Sequence, residues 1–137
     1  MNWEELKELA LIRLKEAKIL LKSGNYPGAY YLAGYVIECG LKACIAKQTK
    51  LHDFPDKQTV LDSWTHDFKK LVSAAGLIEE IKKEQSNDEI FAINWAIVQN
   101  WKEKCRYQKF SQREAEDIIE AIDEINHGVL KCLKHLW

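Results

Sequence analysis

Apolar residues recur at helical spacing along almost the whole chain. A first helix is expected from about Trp3 to Ser23, with Asn2 placed to cap it and Glu5 at the capping-box position. Leu6, Leu9, Ala10, Ala17, Leu20 and Leu21 fall on one face at 3.6-residue spacing, and Arg13 falls inside that face. Gly24 stands where a glycine ends a helix. A second helix opens at Pro27 and runs through Ala46. It is apolar nearly all round, and only Tyr31, Tyr35, Glu38 and Lys42 make a polar or amphipathic stripe. Such a helix needs cover on most sides. The expectation is that its own bundle covers part and a second subunit the rest, with Ala33, Gly34 and Gly40 permitting close contact.

Residues 49–62, which include Pro55, read as a loop. A short helix is expected from about Thr65 to Ala75, stopped by Gly76. Another is expected after Ser86, where Ser86-Asn87-Asp88-Glu89 has the capping-box pattern, with Ile90, Phe91, Asn94, Ile97, Val98 and Trp101 on its inner face. A third capping box, Ser111 to Glu114, opens a last helix that buries Ile118, Ile122, Ile125, Val129, Leu133 and Leu136. Four main helices and one or two short ones predict an all-α fold, an antiparallel up-and-down four-helix bundle, as a single domain over residues 1–137.

Composition agrees with that. The chain has 137 residues, 47% hydrophobic and 30% charged, the balance of a folded globular domain. The net charge of −1 excludes a polybasic coat but not a local basic patch. No apolar run approaches a membrane span, and the acidic start, Met1-Asn2-Trp3-Glu4-Glu5, does not read as a signal peptide. The four cysteines form no C-x-x-C pair and are expected as reduced, buried thiols in the cytoplasm.

Trp101 to Arg113 is the most unusual stretch. It holds five basic residues against one acid, a net +4, and the next thirteen residues hold six acids and no base. Basic charge interleaved with Trp101, Tyr107 and Phe110 suits a phosphate and a stacked base. The plainer alternative is a solvated loop neutralising the acidic last helix. Glu38 on an apolar helix needs a cation or several donors, and Arg13, Lys42 and Arg106 are the candidates. It serves either as a structural salt bridge or as the carboxylate that orients Arg106. His66 is a cap and packing element or, alternatively, a catalytic base; His127 is expected on the outer side of the last helix. No metal-binding motif, phosphate loop or nucleophile elbow stands in the chain, and no cofactor is expected.

Three segments in order carry a resemblance. Gly24 to Ala43, with Gly24-Asn25-Tyr26-Pro27-Gly28-Ala29-Tyr30-Tyr31 at its head, resembles the second-helix signature of HEPN domains, helical domains named for nucleotide binding in higher eukaryotes and prokaryotes. Thr65-His66-Asp67-Phe68-Lys69-Lys70-Leu71 resembles their His-Asp-aliphatic element, and Trp101 through Arg106-Tyr107 their element before the last helix. The resemblance implies a dimerising four-helix bundle with its active face at the subunit junction. Many members are metal-independent ribonucleases with an Arg, four to six residues, then a His. This chain departs from that: after Arg106 the corresponding positions are Ser111, Gln112 and Arg113, and Arg13 and Arg113 are not followed by a His either.

The leading expectation is a homodimeric module that binds a nucleotide or RNA phosphate, or a regulatory partner of a small nucleotidyltransferase in a toxin–antitoxin arrangement. Arg106 would meet the phosphate, Lys104 and Lys109 would add charge, Tyr107 or Trp101 would stack, and Glu38 would orient Arg106. The alternative is a metal-independent ribonuclease toxin with a degenerate motif, in which His66 supplies the missing base. A third reading is an assembly module with no ligand.

Overall fold

A computed structural model describes residues 1–52 and 63–137 of the chain. Among them stand seven α-helices, one 3-10 helix and no strand. The first two long helices are α1 (Trp3–Lys22) and α2 (Tyr26–His52). Then come α3 (Phe68–Ala74), α4 (Ile78–Asn87) and α5 (Glu89–Gln99). A 3-10 helix (Glu103–Tyr107) leads to α6 (Gln112–Asp123) and α7 (Val129–Leu136). The fold is an all-α bundle. None of these helices is long and apolar enough to cross a membrane.

The N-terminal elements follow their local signals. Asn2 and Glu5 cap α1 reciprocally. Gly24 takes φ +82 in the turn to α2, a conformation open to glycine. Leu6, Ala10, Leu14 and Ala17 form the buried face of α1. Arg13 lies at its edge, half-buried and paired with Glu16 one turn on, so the apolar face is filled by Leu14 instead.

The central helix, α2, is covered on most sides within a single chain, because α1, α3, α6, α7 and the 3-10 helix all pack on it. Ala33, Val36, Ile37, Leu41 and Ala43 have no exposed surface. The short elements add cover to what the long helices supply, and the side of α2 that carries Leu32 and Ile45 borders an open groove. α2 also runs on through Thr49 to His52, where a loop was expected; the rest of that loop, Pro55 included, lies outside the described residues.

Three boundaries differ from the sequence pattern. α3 starts at Phe68 because Thr65 and Asp67 form the cap: Asp67 Oδ1 accepts the Lys69 and Lys70 N–H groups. Ser86 lies inside α4, and Asp88 is the cap of α5, accepting from Ile90 and Phe91. α5 buries Phe91, Trp95 and Val98 and leaves Ile90 50% exposed, because a helix apolar on most sides does not reveal its inner face by periodicity. The expected last helix breaks between Asp123 and Val129. There Glu124 accepts the Asn126 and His127 N–H groups, Asn94 donates to the His127 carbonyl, and His127 Nδ1 meets Asp88 Oδ2 at 2.6 Å. His127 therefore staples a corner rather than projecting from a helix, and Ile125 is 80% exposed. The His127 hydrogen bond is the main reason that the Asp88 carboxyl is held below its ordinary range.

The closest approach in the core is Trp101 over Gly34. A Cβ at Gly34 would stand 2.0 Å from the indole ring, and Trp101 is buried at the centre of the bundle. Gly34→Ala is expected to destabilise the fold by about 3 kcal/mol, the upper range for overpacking, as a lower midpoint of urea unfolding. Gly28→Ala meets only the flexible end of Leu20, at 3.3 Å, and should change the midpoint little.

The four cysteines are free; Cys39, Cys44 and Cys105 are buried and Cys132 is half-buried. Burial pushes the Cys39 thiol up to about 11 and the Cys44 thiol up to about 12, from an ordinary 9.0. These pKa values are raised in the folded state, so their stabilising contribution is fully present below pH 9.0 and is lost as pH climbs towards 11–12. The urea midpoint should be flat from neutrality to about pH 9 and fall above it.

Candidate functional site

The polar stripe of α2 surfaces where three elements meet. The cap turn before α3 brings His66, the 3-10 helix brings Glu103 and Arg106, and α2 itself brings Tyr31, Tyr35, Glu38 and Lys42. Trp101 locks them together. Its indole stacks on Phe68 at 5.3 Å, meets Tyr35 edge-on at 5.3 Å, and donates from Nε1 to the Tyr31 carbonyl at 3.1 Å.

Glu38 is 4% exposed, the one charged residue among the buried described residues. A buried carboxylate needs partners, and it has two: His66 Nδ1 at 2.5 Å from Oε1 and Lys42 Nζ at 3.5 Å from Oε2. Neither Arg106 nor Arg13 is among them. An ionised carboxylate only accepts, so His66 Nδ1 carries the proton in this contact. The imidazole is 46% exposed and lies edge-on to the Tyr35 ring.

Arg106 is held by a different acid. Its guanidinium donates to Glu103 Oε1 at 2.7 Å and lies 4.8 Å from the Tyr107 ring centre. Tyr107, then Glu103 and more weakly the Tyr31 hydroxyl, keep it even more firmly protonated than an ordinary arginine. The Tyr31 and Tyr35 hydroxyls are 2.9 Å apart. Burial, followed by that bond, raises the Tyr35 pKa well above the ordinary tyrosine value. A guanidinium and an imidazole, each fixed by its own carboxylate, thus stand at the two ends of a tyrosine pair.

The expected residues divide. Arg106 and Tyr107 lie together, and Tyr107 is 78% exposed. Lys104 is exposed in a pocket beside His66. Lys109 is exposed between the 3-10 helix and α6 and has no ion-pair partner among the described residues. Trp101 is 2% exposed and cannot receive a base; the fold uses it as the lock. Glu38 orients His66, not Arg106. Sequence reasoning missed Tyr31 and Tyr35 as site residues, although their i, i+4 spacing on the stripe of Glu38 was a usable signal. It also did not name Lys69, Lys102 or the 79%-exposed Trp64 as site residues, although Lys102 lies in the basic stretch from Trp101 to Arg113.

On the other side of Glu38 a groove of about 1280 Å3 runs between α1 and α2, with Leu6, Leu9, Leu32 and Ile45 on its walls and Arg13 and Lys42 among its polar groups. No group of three metal-ligating side chains occurs among the described residues.

The HEPN domain family matches residues 3–132, and the chain belongs to that family. No curated protein and no solved structure matched it.

The Glu38 contact sets the His66 tautomer. Nitrogen-detected NMR is expected to show His66 protonated on Nδ1 when the ring is neutral. Glu38→Ala should abolish that preference and lower the unfolding midpoint, whereas an unchanged tautomer would contradict the contact.

Proposed function

We propose that this HEPN protein binds phosphate groups of a nucleotide or of RNA on the face that carries Arg106, the Tyr31–Tyr35 pair and His66. The observation that carries the reading is the paired restraint: Glu103 holds Arg106 and Glu38 holds His66, and the Arg106 and His66 side chains both remain about half exposed. Groups fixed before binding lose little freedom when an anion arrives, which is the economy of a preorganised site. Guanidinium suits the oxygens of a phosphate, and exposed Tyr107 beside it suits a stacked base. Lys104 and Lys109 add positive charge. Free thiols fit a cytoplasmic protein.

The same reading includes a homodimer. Family membership supports it, and so does the apolar groove beside Glu38, which a second copy would cover. A small nucleotidyltransferase as partner, in a toxin–antitoxin arrangement, belongs to the reading on the family resemblance alone.

One observation favours a second reading, a metal-independent ribonuclease. A buried carboxylate on Nδ1 leaves Nε2 of His66 free to accept a proton, which is how a histidine is set up as a general base. In that reaction Nε2 takes the proton of a ribose 2′-hydroxyl and the oxygen attacks the adjacent phosphorus. The bond to the 5′ oxygen breaks, and that oxygen takes a proton from water. A 2′,3′-cyclic phosphate and a 5′-hydroxyl result, and Arg106 steadies the charge on phosphorus.

Fluorescence anisotropy with a nucleotide and a short RNA tests the binding reading. Arg106→Ala is expected to weaken binding about tenfold or more; affinity equal to wild type would remove Arg106 from the site. Incubating RNA with the protein in chelator separates the second reading. Intact RNA fits a binder, while cleavage that His66→Ala abolishes fits the enzyme.

A further inference from the structure

A pocket of about 350 Å3 opens on the α3 side of His66. Its lining brings together Lys69, Lys102, Lys104, His66, Asp67 and Glu103. Lys69 comes from the first turn of α3 and Lys102 and Lys104 from the chain after α5, so the tertiary fold alone assembles them. Both acids in the lining are already engaged. Asp67 accepts two backbone N–H groups, at 2.9 and 3.3 Å, and Glu103 holds Arg106. None of the three lysines has an ion-pair partner among the described residues. Three lysines against two carboxylates, one of them paired with Arg106, make the pocket a local excess of positive charge on a chain of net charge −1. Its wall is formed by Trp101 and Phe68, which are 2% and 5% exposed, so little water screens charges from beneath.

Cationic groups thus flank His66 on two sides, with Arg106 across the tyrosine pair and the lysines in the pocket. Tyr107 is 78% exposed next to Arg106. Trp64, two residues before His66 and 79% exposed, lines the groove between α1 and α2 rather than the lysine pocket. One phosphate fills one side only. Stacking on exposed rings requires unpaired bases.

We infer that Lys69 and Lys102, with Lys104, form a second phosphate subsite, and that the ligand is a single-stranded nucleic acid crossing His66 rather than a mononucleotide. The inference rests on the phosphate-binding reading above and specifies its substrate class.

Three probes test it: a single-stranded RNA of about eight nucleotides, within the usual site size of such proteins, the same RNA as a duplex, and a nucleoside monophosphate. The combined Lys69→Ala, Lys102→Ala protein should bind the single strand about tenfold more weakly. Its slope of log affinity against log salt should shrink by roughly 1.4, about 0.7 for each lost phosphate contact. Its affinity for the monophosphate should stay within about twofold of wild type. The wild type should prefer the single strand to the duplex. Unchanged affinity for the single strand, or equal loss for strand and monophosphate, overturns the subsite. A preference for duplex overturns the single-stranded path. Arg106→Ala separates the two readings: if it binds like wild type while the lysine variant fails, the Arg106 face is wrong and the lysine subsite stands. If the wild type binds none of the probes, both fall. Both lysines are exposed, so the melting curve of the variant should match wild type; if it does not, the Lys→Gln pair replaces it.

Discussion

Trp101 seated on Gly34 is the contact on which the rest of the molecule depends. A tryptophan is the largest side chain available, and a glycine offers the deepest notch that a helix can present. Their pairing brings the backbone of α2 under the indole with no room for a Cβ between them. From that seat one ring reaches three elements. It stacks on Phe68 of α3, meets Tyr35 of α2, and bonds to the Tyr31 carbonyl, while its own chain continues into the 3-10 helix. Aromatic contacts of this geometry add to the area buried. His66, Glu38 and Arg106 each lie within five residues of one of these anchor points, so this contact ties packing in the core to geometry at the surface.

Electrostatics then decides what those side chains do. A carboxylate buried on an apolar helix would be costly alone, and Glu38 obtains its partners from across the fold as well as from its own helix. The cost of burying it is offset by holding His66 in one orientation. Glu103 does the corresponding work for Arg106 nearer the surface. The lysines of the neighbouring pocket have no such acid, because the two nearest ones are committed elsewhere. Positive charge that is left unneutralised inside a concavity is what a polyanion meets first.

The short elements matter as much as the long ones. α3, α6, α7 and the 3-10 helix cover α2 on the sides away from the groove, so much of the apolar circumference of that helix is satisfied by its own chain. The open apolar surface lies instead along the groove between α1 and α2, on the flank of the site. The corner at Glu124–Gly128 turns α7 back onto the bundle, and the Asp88–His127 bond closes it.

Much of the fold was legible because its signals are local. The caps at Asn2 and Ser111, the glycine stop at Gly24 and the apolar rhythm of α1 and α6 each act within a turn or two of the chain. The order of the His66 and Arg106 elements was legible too, as pattern. The inner face of α5 was not, since a helix apolar on most sides orients only by what packs on it. The break at Glu124 was not, since a corner is held by Asp88 and Asn94, more than thirty positions away. Glu38 shows the division most sharply. Its type and its apolar surroundings announced a buried charge in need of a partner, but His66 lies 28 residues further on and becomes that partner only when α3 docks under Trp101. Local chemistry along the chain determined the helices and named the polar residues; which of those residues face each other was decided by long-range packing, because side-chain contacts across a bundle depend on helix orientation that no single helix encodes.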